Sequence, residues 1–153
     1  AYHCFDDGFD PNFQSIVNTA SIALRAPIAA IVLLDADRKW FKAEFGLGVR
    51  ETPREFSFCS RAIEDGDALI VPDARLDPRF QRNPLVNGEP HIRFYAGVPI
   101  VDSEGISLGA FCVMDRHPRL ATDEELTMLW GFGRFALTAL ESHKRANLLT
   151  RGT

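Results

Sequence analysis

Cys-x-x-Cys, His-x-x-x-His and any run of five like charges are all missing from this chain of 153 residues. The three cysteines (Cys4, Cys59, Cys112) lie far apart from one another, and the four histidines (His3, His91, His117, His143) are scattered. A structural zinc centre draws its four ligands from short, paired spacings, so none is expected. Three cysteines do not close a disulfide framework, and a reducing cytosol is the simplest setting. Long hydrophobic runs are missing too. The longest apolar stretch, Ala26–Leu34, is broken by Pro27 and falls far short of the roughly 20 residues that span a bilayer. No basic flank opens the chain, since Asp6, Asp7 and Asp10 stand where a secretory leader carries positive charge. A cytoplasmic location without membrane contact is the expectation. The net charge of -4, with no clustered Lys and Arg, argues against nucleic acid as the partner. No carboxylate pair or Ser/His/Asp order fixes a catalytic geometry, so no enzyme is expected.

What is present is an ordinary globular mix, 46% apolar and 25% charged, in a length that fits one domain over residues 1–153. Asp10 is a good N-cap and Pro11 suits the first helical turn. Phe13, Ile16, Val17, Ala20 and Leu24 then repeat at helical spacing until Pro27. Ile28–Leu34 reads as a strand, Asp35–Arg38 as a turn, and Lys39–Phe45 as a returning strand with a two-residue period. A polar connection containing Pro53 follows. Ser57 caps a short helix, Phe58–Glu64, which Gly66 ends. Leu69–Val71 is a short strand, Asp73–Pro90 one long loop punctuated by Asp77-Pro78, Asn83-Pro84 and Asn87-Gly88. Ile92–Val101 and Ser107–Met114 form a hairpin about Asp102–Gly105. Thr122 and Glu125 make a capping box that opens a last helix over about 122–149. The order α-β-β-α-β-loop-β-β-α, dominated by hairpins, predicts an α+β domain with a mainly antiparallel sheet.

From Asp35 to Asp115 the chain resembles GAF domains of bacterial sensor histidine kinases and cyclic-dinucleotide signalling proteins. The residues that carry the resemblance are Asp35-Ala36-Asp37-Arg38-Lys39-Trp40-Phe41-Lys42, Glu51-Thr52-Pro53-Arg54, Phe58-Cys59 and Val71-Pro72-Asp73-Ala74. Asp77-Pro78-Arg79-Phe80, Asn83-Pro84, Ile92 to Ile100 and Leu108 to Asp115 complete them in order. The resemblance implies a GAF/PAS-like central antiparallel sheet of about six strands. Helices would cover one face, and a ligand pocket would lie on the other under the long loop. It also implies a sensory or dimerising role, with a histidine kinase as the first expected output.

In such a fold Phe58, Cys59, Asp73, Phe80, Asn83, Arg93, Phe94, Tyr95 and Cys112 would come near one cavity, aromatic walls with a few polar groups for an unidentified small molecule. The alternative is a closed core in which the same aromatics fill the space, leaving an interaction module without ligand. Arg54, Arg75, Arg79, Arg82 and Arg93 would bind an anion if they converged, but Asp73, Asp77 and Glu89 are interleaved with them and ion pairs are favoured. GAF-like free methionine sulfoxide reductases use several cysteines near this pocket. Cys59 and Cys112 have no cysteine between them, and Ile92–Tyr95 lacks a nucleophile, so buried apolar cysteines are favoured. The Cys-His pair of bilin-binding relatives is missing, because Ser60 follows Cys59 and His91 has no neighbouring cysteine. The Asn-Lys-Phe-Asp-Glu set of cyclic-nucleotide-binding relatives is missing as well. No metal, haem or bilin is expected.

The last helix carries two apolar stripes. Leu126, Trp130, Gly133, Leu137 and Leu140 form one; Met128, Phe132, Phe135, Ala136 and Ala139 form the other. One stripe suffices to rest on a sheet. The second is read as the interface of a homodimer built from terminal helices, continuing into a signalling helix.

Overall fold

The computed structural model describes residues 10–35, 38–48, 51–53 and 58–152. The first helix, α1 (Pro11–Leu24), begins where the Asp10 carboxylate accepts the Asn12 N–H at 2.9 Å. Its inward residues are Phe13, Val17, Ala20 and Leu24. The helix stops at Leu24, three residues before Pro27, and its cap Arg25 takes a left-handed conformation (φ 52°). The Arg25 and Ala26 N–H groups donate back to Ile22 and Ser21, which satisfies carbonyls at the helix end.

Among the described residues six strands form one sheet: β1 (Ile28–Asp35), β2 (Arg38–Phe45), β3 (Glu51–Pro53), β4 (Leu69–Val71), β5 (Phe94–Val101) and β6 (Ser107–Asp115). Their order is β3-β2-β1-β6-β5-β4, every pair antiparallel. The α+β, GAF-like architecture expected from the sequence is the one observed. The sixth strand, β3, lies in the stretch read as a polar connection. Three residues are too few to show a period, and Pro53 is tolerated because β3 is an edge, paired among the described residues only with β2.

The two-residue period expected along β2 is interrupted. Ile31 pairs with Ala43 and Val32 with Phe41, so Lys42 is an extra, bulged residue. The bulge buries Lys42, with its Nζ 5.3 Å from the centre of the Phe13 ring.

Alternate residues of the central strands feed two separate cores. Ala29, Ile31 and Leu33 of β1 face α1 and the last helix, α4 (Asp123–Gly152). Ile28, Ala30 and Val32 face the opposite layer. That second layer is α2 (Phe58–Asp65), a 3-10 turn (Ala74–Leu76) and the single-turn α3 (Pro84–Asn87).

The capping box is present: the Glu125 N–H donates to Thr122 Oγ1 at 3.1 Å, and the Thr122 N–H to Glu125 at 2.9 Å. The inward stripe of α4 differs from the expected one. Leu129, Gly133, Ala136 and Leu140 face the sheet, while Trp130 is 38% exposed. Ala136, expected at a dimer interface, is fully buried in this core. The reason is packing distance. A Cβ at Gly133 would stand 3.0 Å from Val98 Cγ2, so small residues at 133 and 136 face the strands and let the helix approach. No helix among the described residues is long and apolar enough to cross a membrane.

Candidate functional site

The face opposite α1 and α4 carries an aromatic and sulfur cluster. Phe58 opens α2, and its ring stacks on Phe80 with centroids 4.5 Å apart. On its other neighbour, Tyr95 of β5, it stacks at 4.9 Å with planes 14° apart. The Tyr95 hydroxyl donates to Cys59 Sγ at 3.1 Å, and Cys59 Sγ lies 3.8 Å from Cys112 Sγ of β6. All five residues are buried. Burial pushes the Tyr95 phenol well above its usual value of 10, with the neighbouring Cys59 and Cys112 adding to it, so this hydroxyl keeps its proton at neutral pH. Gly97 makes room for that ring: a Cβ there would collide with the Tyr95 hydroxyl.

The stretch expected as one long loop is a series of short capped turns. Asp73 caps the 3-10 turn by accepting the Arg75 N–H, and Asn83 caps α3 by accepting the Leu85 N–H at 2.8 Å. The turns are tied to the sheet by Ala74 N–H to Arg93 O at 2.6 Å and Ile92 N–H to Leu85 O at 2.7 Å. Side chains drop inward from this cover at Ala74, Phe80 and Val86.

Of the nine residues expected to share a cavity, the fold brings five together: Phe58, Cys59, Phe80, Tyr95 and Cys112. Asn83 is buried nearby and acts as a helix cap. Phe94 lies elsewhere. It is the neighbour of Tyr95 on β5, so alternation turns it to the helix face, beneath the Arg119 guanidinium at 4.9 Å. Asp73 sits at the rim, bordering an open depression with Leu76, Asp77 and Pro78. The Arg75 guanidinium holds Asp73 in a two-point pair (3.0 and 2.8 Å) and its carboxyl below the usual range. Arg79 does the same to Asp77 at 3.0 and 2.7 Å. Arg93 donates to the carbonyls of Val86 (2.9 Å) and Ile92 (3.3 Å) and is not the ion-pair partner of Asp73. Arg75, Arg79 and Arg93 are thus engaged separately and do not converge as an anion site. Ser57 and Arg54 lie outside the described residues.

Sequence reasoning missed Arg119. Its guanidinium donates to Leu24 O at 2.8 Å and Arg25 O at 3.0 Å, the open carbonyls at the end of α1. It also reaches Glu125 at 2.6 Å, at the start of α4, and Asp115 at 3.4 Å, at the end of β6. One side chain thus joins both helices to the sheet. Burial pushes the Glu125 carboxyl up, but the Thr122 N–H and the Arg119 charge outweigh it and hold the group below its usual 4.5. The signal was a lone arginine three residues before the capping box, which no motif marks. Among the described residues, no group of three or more His, Cys, Asp or Glu is placed to hold a metal ion.

Of the expected interface residues other than Ala136, Met128 and Phe135 are exposed, at 36% and 62%. Phe132 is half-buried between Phe111 (5.8 Å) and Phe135 (6.1 Å), and Ala139 packs against the helix-side core.

A small antiparallel sheet with two long helices on one face and a cover of short helices and turns on the other is the architecture of one class of domain. The chain belongs to the GAF domain family, which it matches over residues 9–140. It is 42% identical over 149 residues, 97% of its length, to a cyclic di-GMP phosphodiesterase of Pseudomonas aeruginosa, and spans 25% of that protein. Among solved structures it is similar to the GAF domain of a phosphoenolpyruvate-protein phosphotransferase from Coxiella burnetii. There the TM-score is 0.71 at 20% identity, over 90% of this chain and 87% of that one. It is similar also to the free methionine-R-sulfoxide reductase of Neisseria meningitidis, with a TM-score of 0.74 at 17% identity, over 94% and 84% of the two chains. The expectation of no enzyme is corrected by these findings, since the 42% identical relative is an enzyme and a fold neighbour is a reductase. A search for catalytic spacings inside 153 residues tests only those residues, and they correspond to 25% of the phosphodiesterase.

Proposed function

We propose that this chain, with residues 1–153 acting as one unit, is the regulatory GAF domain of a cyclic-dinucleotide phosphodiesterase. The observation that carries this reading is the 42% identity over 97% of the chain to such an enzyme. It favours a phosphodiesterase over a histidine kinase as the output. The signal is a small molecule taken up beneath the turns of 72–92, against Phe58, Phe80 and Tyr95. The readout is α4, which pairs with α4 of a second copy through Met128, Phe132, Phe135 and Ala139.

Neighbouring residues of β5 link the two. Tyr95 stands in the aromatic cluster, whereas Phe94 supports Arg119, which grips Glu125 at the start of α4. A ligand that prefers one placement of β5 biases the helix by its differential affinity for the two states. A second reading, a closed module that only pairs, is favoured by the mutual packing of Phe58, Phe80 and Tyr95.

The test is a chimera in which this chain replaces the matching quarter of the Pseudomonas phosphodiesterase. Cyclic di-GMP hydrolysis by the chimera should be restored relative to a deletion of that quarter. Hydrolysis that is the same with and without the domain refutes the regulatory reading. Native mass spectrometry of the chain separates the two versions of it, because extra mass lost on unfolding marks a ligand.

A further inference from the structure

Cys59 and Cys112 come from an α2 helix and a central strand, 53 residues apart in sequence, yet their sulfurs lie 3.8 Å apart inside the protein. A disulfide needs about 2.05 Å between sulfurs, so a movement of about 1.8 Å closes the bond. The sulfur of Cys59, the second residue of the eight-residue α2, is buried. The Tyr95 hydroxyl donates to the same sulfur at 3.1 Å. The fold therefore sets a hydroxyl donor on the Cys59 sulfur and a second thiol beside it.

We propose that Cys59 and Cys112 are an oxidation site: a small hydroperoxide oxidises Cys59 and Cys112 resolves it, forming a disulfide that staples α2 to β6. The Cys59 thiolate attacks one oxygen of hydrogen peroxide and the O–O bond breaks. One oxygen remains on sulfur as a sulfenic acid. The other leaves as hydroxide and takes up a proton to become water. The Cys112 sulfur then attacks Cys59 Sγ, the S–O bond breaks, and a second water leaves with the Cys112 proton. Two thiols lose two electrons and two protons, and the peroxide is reduced to two waters. Tyr95 is a positioning residue: it stays protonated at neutral pH and so remains a donor to the thiolate. Access comes from the cover, because the turns at 74–76 and 84–87 are single turns, the kind of element that opens locally without global unfolding.

The experiment uses the chain with Cys4→Ser, so that two thiols remain. It is exposed to hydrogen peroxide, unfolded in guanidinium with iodoacetamide, and weighed. Both cysteines should escape alkylation, the mass should fall by two hydrogens, and proteolysis should yield one peptide linking 59 to 112, all reversed by dithiothreitol. The oxidised form should melt about 10 °C higher, as a cross-link closing a loop of this size does. Replacing Tyr95 by Phe should slow oxidation about tenfold while the fold is kept. Two alkylated cysteines, after an exposure that oxidises the guanidinium-unfolded chain, overturn the proposal. So does oxidation to sulfonic acid without a cross-link. An unchanged rate in Tyr95→Phe removes Tyr95 from it.

Discussion

On one face of the sheet lie helices of 14 and 30 residues; on the other, nothing among the described residues exceeds the eight of α2. The strands beneath are the same strands, and their alternate side chains serve both layers. The long helices bury continuous stripes and are anchored at their ends by Arg119 and the capping box. The turn-built layer hangs on Asx caps, two exposed Arg–Asp pairs and a few dropped side chains such as Phe80. The first arrangement resists change as a body, whereas the second can open a turn at a time. The proposed function, a small molecule taken up on one side and an output helix held on the other, would use that inequality.

The sharpest way to break the comparison is to remove one aromatic from each layer. Phe111 is fully buried under α4, and Phe111→Ala should cost about 3–5 kcal/mol in urea unfolding. Phe80→Ala should cost less, about 2 kcal/mol, because a cover of short turns settles into the vacated space. Equal losses would mean that the turn layer is as rigid as the helix layer. The Arg119 junction comes next. Arg119→Met keeps the length and much of the contact with Phe94 but leaves the Leu24 and Arg25 carbonyls and Glu125 without their donor. A loss of about 2 kcal/mol is expected, with faster amide exchange at the start of α4 as its local mark. A variant as stable as the parent would deny Arg119 its anchoring role.

Acid should act on both layers, more gently. Asp73, Asp77 and Glu125 all have carboxyl groups held below their ordinary values of 3.8, 3.8 and 4.5. A depressed folded-state value means that the unfolded chain binds protons first, so the stability these groups supply is complete above those ordinary values. It is lost as pH falls through them toward the lower folded values. The midpoint of urea unfolding should therefore be level from pH 7 to about pH 5.5 and decline toward pH 3. In Glu125→Gln the decline should be shallower. An identical decline would assign the effect to other carboxylates.

The helix layer was largely legible in the sequence, because Asp10-Pro11 and Thr122 with Glu125 announce helix starts and 3.6-residue spacing marks what lies inward. Even there, the choice of stripe on α4 failed at Ala136 and Trp130. A stripe rich in small residues carries a weak hydrophobic signal, although small residues are what let a helix lie close to strands. The turn layer was legible only as punctuation. Asp73 and Asn83 were visible as turn residues, but nothing local states that Asp73 pairs with Arg75 rather than Arg93. Nor does the spacing say which of Phe94 and Tyr95 faces which layer when both are buried. The Cys59–Cys112 approach joins residues 53 positions apart and exists only through the sheet order.

The smallest effect on stability should come from Phe135, and for the proposed pairing it is the most informative. Its ring is 62% exposed and makes an edge contact with Phe132 at 6.1 Å. Phe135→Glu should therefore cost the isolated domain only about 0.5–1 kcal/mol, the worth of one aromatic contact. In a pair of α4 helices the same change would bury a carboxylate against its copy, and each partner would suffer it, so the effect on association is doubled by symmetry. The expected result is a parent chain of twice the monomer mass and a variant of single mass, with nearly equal melting temperatures when both are measured as monomers. A variant that still runs at the parent's mass would move the pairing surface off this ridge. The groove on the flank of α4, where Trp130, Arg134 and Leu137 face Pro99–Val101, would be the next surface to mutate.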